Sequence, residues 1–493
     1  MEKNKNMKRN EKKIIVKNYI LNILYQAFTL IIPLILTPYV SRVLLSDGIG
    51  KYSYASSIIY YFTVFGALGT TMYGQREIAK RINLIYDRSK LFWELFIVRL
   101  FSCLISFAIN IFFCLFGIYG KYTYLLCILS INIISVALDI TFLFQGMEKF
   151  ATIVSRNVLV KIIGVILVFL FVKTPNDVWK YTLINSMITF FSALSLWVYL
   201  PQALCKVRFS SLKPFSHIKP ILILFLPTIA ISIYTMLDKT LIGLILHSDS
   251  QNGYYEQAEK IVKMCVTVIT CLSTVMISRN SIEFSEGNEE HIKSNIYFAT
   301  KIVWLLAVPM TFGLMAISNS MNYWFFGPGY EPVAKLMIAF SPIVIVLGLN
   351  NITGVQYLIA TGHDKTFTKS VVIGAIANLI INLVLIKTIG TIGAVLASVF
   401  AETLILIIQL MYLRKEFNIY QFFGTGWKNI IGSLMMFAIL SIISKTLQSS
   451  ITSTLILIVT GIIVYILSLI ILRDEFACEF LRNGFSEIKR KLR

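Results

Sequence analysis

The chain has 493 residues, of which 57% are hydrophobic and only 14% are charged, and its mean hydropathy is +0.75. Repeated apolar runs of about 18 residues or more exclude a soluble globular protein and indicate a polytopic membrane protein. The formal net charge of +20 reflects Lys and Arg in the segments between these runs, where they would face anionic lipid. The charge therefore does not indicate a nucleic-acid partner.

Hydropathy predicts an all-α chain with about fourteen transmembrane helices. Lys and Arg are concentrated in the segments that lie inside if the N-terminus is cytoplasmic, and an even number of spans returns the C-terminus to the same side. We therefore expect a multi-pass protein of the cell membrane with both termini in the cytoplasm. The predicted spans are 18–40, 53–73, 91–116, 122–144, 155–172, 178–200, 219–246, 258–278, 297–317, 333–359, 370–386, 391–412, 429–446 and 452–472.

The spans group into two predicted lobes. The first six would form an N-terminal six-helix lobe over residues 1–200, and the next six a C-terminal six-helix lobe over 221–413. The polar, basic connector 201–220, which contains prolines, is predicted to be a cytoplasmic linker. The last two spans are an additional C-terminal helix pair, which together with a basic cytoplasmic tail makes up 414–493.

The first two spans carry polar residues on single helical faces and are joined by a predicted hinge at 42–55. Asn22 and Gln26 recur at helical spacing in span one, and Tyr52 and Tyr60 do so in span two. Unpaired polar groups are costly in hydrocarbon, so these faces should line a water-filled cavity or contact another helix.

A short motif in the hinge occurs again about two hundred residues later. Gly50–Ala55 aligns with Gly253–Ala258, and a second pair of segments, Gln145–Lys149 and Thr361–Lys365, follows in the same order. Two matches in the same order predict that the chain contains two copies of one unit, as many transporters do. The alternative is chance similarity between apolar segments.

Charged side chains inside predicted spans are the main candidates for a transport path. A charge deep in a bilayer costs on the order of 3 kcal/mol or more, so such residues usually face a cavity. Span seven carries Asp238 and Lys239, and span eight carries Glu256, Lys260 and Lys263 on one helical face. The lysines would give a cavity a positive bias, which suits an anion such as a phosphate or pyrophosphate.

Each of these charges also has a simpler interpretation. Lys239 could pair with Asp238, Lys260 could pair with Glu256, and Arg42 could extend to the outer interface. Both interpretations stay open at this point. The predicted substrate-binding residues are Arg42, Lys239, Lys260, Lys263, Asp238, Glu256, Asn22, Gln26, Tyr52 and Tyr60.

The sequence contains no nucleotide-binding Gly-x4-Gly-Lys-Ser/Thr loop and no recognisable catalytic motif, and its four histidines are scattered singly. We therefore expect a protein that is not an enzyme and has no metal or other cofactor. Proton or sodium coupling is left open, with Asp238, Asp139 and Glu402 as the candidate acids. Asn378 and Asn382 share a helical face and are predicted to form hydrogen bonds between helices.

Two groups of motifs carry a resemblance to a known family. Arg42-Val-Leu with Gly50-x-Tyr52-x-x-Ala55, followed by Phe144-Gln145-Gly146-x-Glu148-Lys149 and Arg156-Asn157, resembles the Wzx-type flippases of polysaccharide biosynthesis. These proteins share a superfamily with the lipid II flippase and MATE multidrug exporters. The resemblance implies two six-helix lobes that form a V around a cavity with alternating access. It further implies that the additional helix pair forms a groove for a lipid tail.

The function implied by this resemblance is translocation of undecaprenyl-pyrophosphate-linked oligosaccharide repeat units from the cytoplasmic to the outer leaflet. The product would be capsule, exopolysaccharide or O-antigen, and the partners would be membrane lipid and other polysaccharide assembly proteins. A first alternative is a drug or cation antiporter of the MATE type, which would need an acidic, aromatic cavity. A second alternative is a glycan polymerase or ligase. Such an enzyme needs a sizeable outer loop with catalytic polar residues, whereas the outer loop Asn319–Pro332 is short and nearly uncharged.

Overall fold

The structure is a computed structural model, which describes the backbone of residues 2–271, 276–277, 280–281, 283–284, 286–479 and 482. Side chains are described within these ranges from residue 28 onward, apart from 150–152, 155, 224, 226–228, 230–231 and 233. The described residues form helices and turns without any β-strand. The predicted all-α fold class is therefore confirmed.

In the part of the chain that the structure describes, eighteen α-helices and one π-helix are numbered in chain order. They are α1 Glu2–Ala67, α2 Thr70–Lys80, α3 Ile85–Leu115, α4 Thr123–Leu138, α5 Thr141–Gly146, α6 Phe150–Phe171, α7 Val178–Leu194, α8 Leu200–Ala203, α9 Ile218–Leu246, α10 Asp249–Thr270, α11 Glu289–Phe326, α12 Glu331–Phe340, α13 Ile343–Asn350, the π-helix Asn351–Ile359, α14 Asp364–Ile389, α15 Thr391–Leu413, α16 Ile419–Gly424, α17 Trp427–Thr446 and α18 Ile451–Ile471. Short 3₁₀ segments lie at Gly120–Tyr122, Pro175–Asp177, Ser195–Tyr199, Phe209–Ser211 and Pro214–His217.

The described residues contain 9 helices that are long and apolar enough to cross a membrane, or 10 if one bent pair counts as a span. That pair is Glu331–Phe340 with Ile343–Ile359, bent by 41°. The chain is thus a multi-pass membrane protein, and the expected count of fourteen is not confirmed. One reason is that Phe28–Lys80 counts as a single helical stretch, although it covers the second predicted span and part of the first.

The predicted hinge at 42–55 is much narrower than expected. Helical backbone continues on both sides of a single residue, Leu45, which has φ 59° and ψ 174°. A left-handed φ costs a leucine roughly 1–2 kcal/mol, so helical geometry is interrupted only at this point. Pro33 and Pro38 lie inside the same helix without ending it. The connection between the first two spans is therefore one strained residue within α1 and not a loop.

The chain divides into two compact units. The first consists of Met1–Gly243 with Ser248–Gly253, and the second of Leu244–His247 with Tyr254–Arg493. Most of α9 and the first residues of α10 thus belong to the first unit. The sequence-based boundary had assigned 221–243 to the second lobe.

The connector before α9 is bound to the first unit through buried polar groups of α3. The Glu94 carboxylate accepts hydrogen bonds from the main-chain nitrogen of Lys213 at 2.8 Å and lies 2.8 Å from His217 Nε2. Further along the connector, the Cys205 main-chain nitrogen donates to Ser89 Oγ at 2.9 Å. These hydrogen bonds hold the connector against α3.

Buried aromatic and aliphatic side chains of α2, α3 and α5 form the core of the first unit. Phe92 and Phe142 are stacked with ring centroids 5.8 Å apart, and Leu95 and Phe144 are fully buried beside them. Arg99 lies in this core. It is 1% exposed and its guanidinium is 5.0 Å from the centre of the Phe142 ring. An arginine in such a core has to be satisfied by specific acceptors.

In the second unit the additional helix pair α17–α18 packs on α11. Met436 and Leu440 of α17 and Leu457 of α18 are buried in one cluster with Ala316 of α11. Tyr465 of α18 donates hydrogen bonds to the main-chain oxygen of Leu305 and to Asn429 Oδ1. The pair is thus part of the core of this unit.

Candidate functional site

The predicted site residues of the first unit lie on α1 and α9. Arg42 is exposed, Tyr52 and Tyr60 are half-buried, and the Tyr52 ring is 4.9 Å from that of Tyr181 in an edge-on contact. The side chains of Asn22 and Gln26 lie outside the described residues. The proposed polar face of span one is therefore described only from Phe28 onward.

On α9, Asp238 and Lys239 are both buried, as expected for charges that do not face lipid. The next residue, Thr240, bonds to Ser57 and Tyr61 of α1 at 2.9 Å each. The polar residues of α9 and α1 thus face each other within the first unit.

The first turn of α10 is fastened to the first unit by an ion pair and a hydrogen bond. Asp249, which is 6% exposed, accepts a hydrogen bond from Tyr122 at 2.5 Å and pairs with Lys121 at 2.6 Å. The amide nitrogen of Asn252 donates to the main-chain oxygen of Lys239 at 2.8 Å. The start of α10 is therefore held by the end of α9 and by the segment before α4.

The lysines of α10 in the second unit each contact an acid one turn earlier. Lys260 lies 3.8 Å from Glu256, and Lys263 lies 2.6 Å from Glu259. The first of these pairs matches the simpler interpretation that the sequence left open. Glu259 was not identified from the sequence, although its i, i+4 spacing to Lys263 is the pattern that could have found it. The lysines therefore contribute less free positive charge than expected.

An apolar cavity of about 540 Å³ lies in the second unit, between α11, α17 and α18. Gly313 on α11 and Gly461 on α18 remove side-chain bulk from its walls. Such a cavity can hold a hydrocarbon chain and offers little to a polar ligand. The residues lining it are Cys265, Leu305, Leu306, Pro309, Met310, Gly313, Leu314, Ile317, Met436, Leu440, Leu457, Ile458, Gly461, Ile462, Tyr465, Ile466, Leu469 and Ala477.

A polar network crosses the second unit at the π-helix. Asn350 donates to the carboxylate of Glu402 at 2.7 Å, and Thr353 donates to Gln409, which in turn donates to Ser370 at 3.1 Å. Of these residues the sequence identified only Glu402. The polar pair Asn350-Asn351, followed by Gln356 inside an apolar span, was an available signal.

Two further predictions about polar groups have different outcomes. Asn378 donates to Ser398 of α15 at 3.4 Å, which is a hydrogen bond between helices as predicted, whereas Asn382 donates to Asn378 of its own helix at 3.0 Å. Asp139, a candidate coupling acid, instead accepts from the main-chain nitrogen and hydroxyl of Thr141 at 2.9 Å each. Its carboxylate thus orients the start of α5.

Comparison with known proteins places this geometry in a family. Residues 15–279 match the family described as polysaccharide biosynthesis protein. A putative O-antigen transporter of Shigella dysenteriae is 24% identical over 408 residues, which cover 81% of this chain and 100% of that protein. A probable low-salt glycan biosynthesis flippase, Agl15 of Haloferax volcanii, is 24% identical over 208 residues, covering 42% of this chain and 43% of the relative.

Solved structures with the same fold are transporters as well. The lipid II flippase MurJ in an inward closed conformation has a TM-score of 0.78 at 18% identity, covering 93% of this chain and 100% of that chain. An inward-facing multidrug MATE transporter has a TM-score of 0.58 at 13% identity, covering 80% of this chain and 97% of that chain. The expected resemblance is confirmed, and the chain belongs to the polysaccharide biosynthesis protein family, on the fold shared by MurJ and the MATE transporters.

Proposed function

We propose that this protein is a flippase that moves undecaprenyl-pyrophosphate-linked oligosaccharide repeat units from the cytoplasmic to the outer leaflet by alternating access. The observation that carries the proposal is the apolar cavity formed by α11, α17 and α18. An apolar cavity of about 540 Å³ suits the hydrocarbon chain of a lipid-linked substrate and offers little to a free sugar. A polyprenyl chain matches its chemistry.

The charged part of the substrate would be handled by lysines and an arginine. Arg42 and Lys239 of the first unit and Lys260 and Lys263 of the second are the proposed contacts for pyrophosphate and acidic sugars. The Glu256 and Glu259 side chains are only 17% and 8% exposed, so the substrate's two charges would have to offset the cost of separating these acids from their lysines. Asp238 and Glu256 would act as counter-charges when no substrate is bound.

The direction of transport fits the charge of the substrate. If the pyrophosphate carries about two negative charges, outward movement is favoured by the membrane potential by about 2.3 kcal/mol per charge per 100 mV. The excess of Lys and Arg in the segments assigned to the cytoplasm supports termini on that side. The polar faces that carry Asn22, Gln26, Tyr52 and Tyr60 would contact the glycan. Other polysaccharide assembly proteins would then take up the repeat unit at the outer leaflet.

The test is the sidedness of lipid-linked oligosaccharide in cells depleted of this protein. Depletion should trap the repeat unit on the cytoplasmic leaflet, and the wild-type protein should reverse this. The Lys260→Ala/Lys263→Ala double variant should reach the membrane without restoring export. A matched control is Lys293→Ala/Lys335→Ala, which changes the charge equally outside the proposed contacts. Unchanged sidedness on depletion would contradict the proposed function, and full export by the double variant would contradict the proposed contacts.

A second candidate is a cation antiporter of the MATE type. It is favoured by the two acids Glu256 and Glu259, which lie beside the lysines of α10, and by the shared fold. If the protein is an antiporter, its expression in a drug-sensitive strain should raise resistance to cationic dyes, and its depletion should leave the sidedness of the oligosaccharide unchanged. If it is a flippase, dye resistance should stay unchanged and depletion should alter the sidedness.

A further inference from the structure

A polar cavity of about 790 Å³ lies in the second unit, at the end of α11 where that helix begins. Its walls come from the first turns of α11, from α16 and from the segment that follows α18. The volume falls within the roughly 300–1,000 Å³ that ligand-binding pockets occupy. The residues proposed above to contact the transported substrate lie outside its lining. A ligand of this cavity would therefore be a different molecule.

The cavity begins where α18 leaves the hydrocarbon. This helix has 21 residues, and its length of about 30 Å matches the hydrocarbon core of a bilayer. Phe476 follows soon after its end and contacts Phe298 of α11, with the ring centroids 5.8 Å apart. Phe298 is 44% exposed, so its ring can also face acyl chains. The two rings thus lie at the level of lipid headgroups, and the rest of the cavity extends away from the hydrocarbon.

Hydrogen bonds hold the walls of the cavity in place. The main-chain nitrogen of Asn418, just before α16, donates to the hydroxyl of Tyr297 on α11 at 3.0 Å. The Lys428 ammonium at the start of α17 donates to the main-chain oxygen of Arg473, just after α18, at 2.8 Å. The elements that form the walls are therefore bonded to neighbouring helices, and the cavity is a fixed feature of this unit.

The end of the cavity nearest the hydrocarbon offers hydrogen-bond donors. Lys301 is half-buried, and its ammonium lies 5.6 Å from the centre of the Phe476 ring. Within the described ranges no acid lies at ion-pair distance from it. One turn earlier on the same face of α11, the Tyr297 hydroxyl accepts from Asn418 and donates to no described residue. An ammonium and a hydroxyl that can both still donate at this spacing suit the oxygens of a phosphate.

The opposite end of the cavity carries the acids. Glu290 lies in the first turn of α11, about three turns before Lys301. Glu479 lies about one turn beyond Phe476, further from the end of α18. Lys293 follows Glu290 by one turn and offsets its charge, so the two lysines and two glutamates of the lining leave no net formal charge. The charge thus changes from positive near the hydrocarbon to negative on the side of the water.

We propose that this cavity binds the headgroup of an aminophospholipid, in which a phosphate is followed by an ammonium group. The phosphate binds Lys301 and Tyr297, and the ammonium binds Glu479 and Glu290. In such a lipid the phosphate lies next to the acyl chains and the ammonium lies further out. The order of charges in the headgroup is therefore the order of opposite charges in the cavity. A purely anionic headgroup would match the inner end alone and would be repelled by the acids.

The site does not depend on the proposed function, so its test uses purified full-length protein without the transported substrate. Native mass spectrometry in detergent can compare the binding of phosphatidylethanolamine and phosphatidylglycerol with identical acyl chains. The wild-type protein should prefer phosphatidylethanolamine, because only this lipid offers an ammonium to the acidic end. Equal affinity for the two lipids, or a preference for phosphatidylglycerol, would overturn the proposal.

Two variants test the two ends of the cavity separately. Lys301→Met should weaken binding of both lipids about tenfold, which corresponds to ~1.4 kcal/mol, and Lys301→Arg should keep the affinity of the wild type. Glu479→Gln should weaken binding of phosphatidylethanolamine alone. The matched controls Lys365→Met and Glu475→Gln change exposed residues outside the lining and should leave both affinities unchanged. Full binding of phosphatidylethanolamine by Lys301→Met, or equal losses for the two lipids in Glu479→Gln, would contradict the assigned contacts.

A water-soluble compound with the same headgroup decides between a lipid and a free zwitterion as the ligand. Glycerophosphoethanolamine carries the phosphate and the ammonium but has no acyl chains. It should not displace phosphatidylethanolamine at equal concentration, because it cannot use the apolar contact that Phe298 offers to an acyl chain. Displacement at equal concentration would show that the chains contribute nothing and would overturn the assignment to a lipid.

Discussion

Gly50 and Gly253 lie backbone to backbone within the first unit. A Cβ atom on Gly50 would be 1.6 Å from the main-chain oxygen of Asp249 and 2.9 Å from the nitrogen of Gly253. One on Gly253 would be 2.0 Å from the main-chain oxygen of Ser46. These are the two glycines that the internal repeat aligns. The repeated motif therefore provides a place where α1 and α10 approach too closely for any side chain.

Replacement of Gly50 by alanine should separate these two helices. Overpacking at a rigid backbone contact typically costs about 1–3 kcal/mol, so the midpoint of thermal unfolding in detergent should fall. Gly424→Ala is the matched control, since a Cβ there meets nothing within 4 Å among the described residues. Equal midpoints for the two variants would show that the close contact is absent in the membrane protein.

The two contacts of Asp249 should contribute unequally to stability. The Lys121 side chain is 57% exposed, so its pair with Asp249 should contribute only about 0.2–1 kcal/mol. The Tyr122 hydroxyl donates to a buried carboxylate at 2.5 Å, a bond whose loss should cost roughly 1–3 kcal/mol. The loss in free energy of unfolding in the variants Lys121→Met and Tyr122→Phe measures the two contributions separately. A larger loss for the lysine variant would reverse this assignment.

Arg99 should not tolerate lysine. Its guanidinium donates to Thr70 Oγ1 at 2.7 Å, to Thr71 Oγ1 at 2.6 Å and to the main-chain oxygen of Asp139. A lysine keeps the charge but cannot reach three acceptors in this planar arrangement, and the loss should exceed about 2 kcal/mol. The yield of monodisperse Arg99→Lys protein tests this expectation, and Arg76→Lys is the control at an exposed arginine. Equal yields would contradict a structural role for the guanidinium.

Filling the apolar cavity should block lipid binding without unfolding the protein. A Cβ on Gly313 meets only the Met436 methyl group, at 3.7 Å, among the described residues, so Gly313→Phe can extend into the cavity. Mass spectrometry of lipids copurified from the membrane should show loss of polyprenyl species at an unchanged unfolding midpoint. Gly424→Phe is the control for added bulk outside the cavity. Undiminished polyprenyl lipid in Gly313→Phe would contradict the assignment of the cavity.

The sequence was informative where local pattern determines structure. Composition predicts the membrane class, and the repeated motif aligns Gly50 with Gly253, which the structure brings together. Asn378 and Asn382 were predicted to bond between helices because a shared face with two amides has few other uses in lipid. The aligned glycines follow from motif order and the shared face of the two asparagines from helical spacing, although the partner Ser398 lies on the next helix.

The sequence was uninformative where partners come from distant helices. Arg99 has its acceptors on α2 and on the segment before α5, and Asn350 meets Glu402 across 52 positions. The narrow break at Leu45 was also not predictable, because no local residue preference favours a left-handed leucine. Lys263 shows a different failure. Its partner Glu259 lies one turn earlier on the same helix, and the i, i+4 spacing alone could have identified it.

The short segment Leu244–His247 is the point at which the main chain first leaves the first unit, and it returns there at Ser248 before leaving again at Tyr254. The long connector 204–217 is instead bonded to α3 at Ser89 and Glu94. An insertion in this connector, even of a whole regulatory domain, would therefore leave the covalent linkage between the two units unchanged. The exposed residues 208–210, between the two anchoring points, are therefore the tolerant location for an engineered fusion, whereas a single added residue between α9 and α10 would alter that linkage directly.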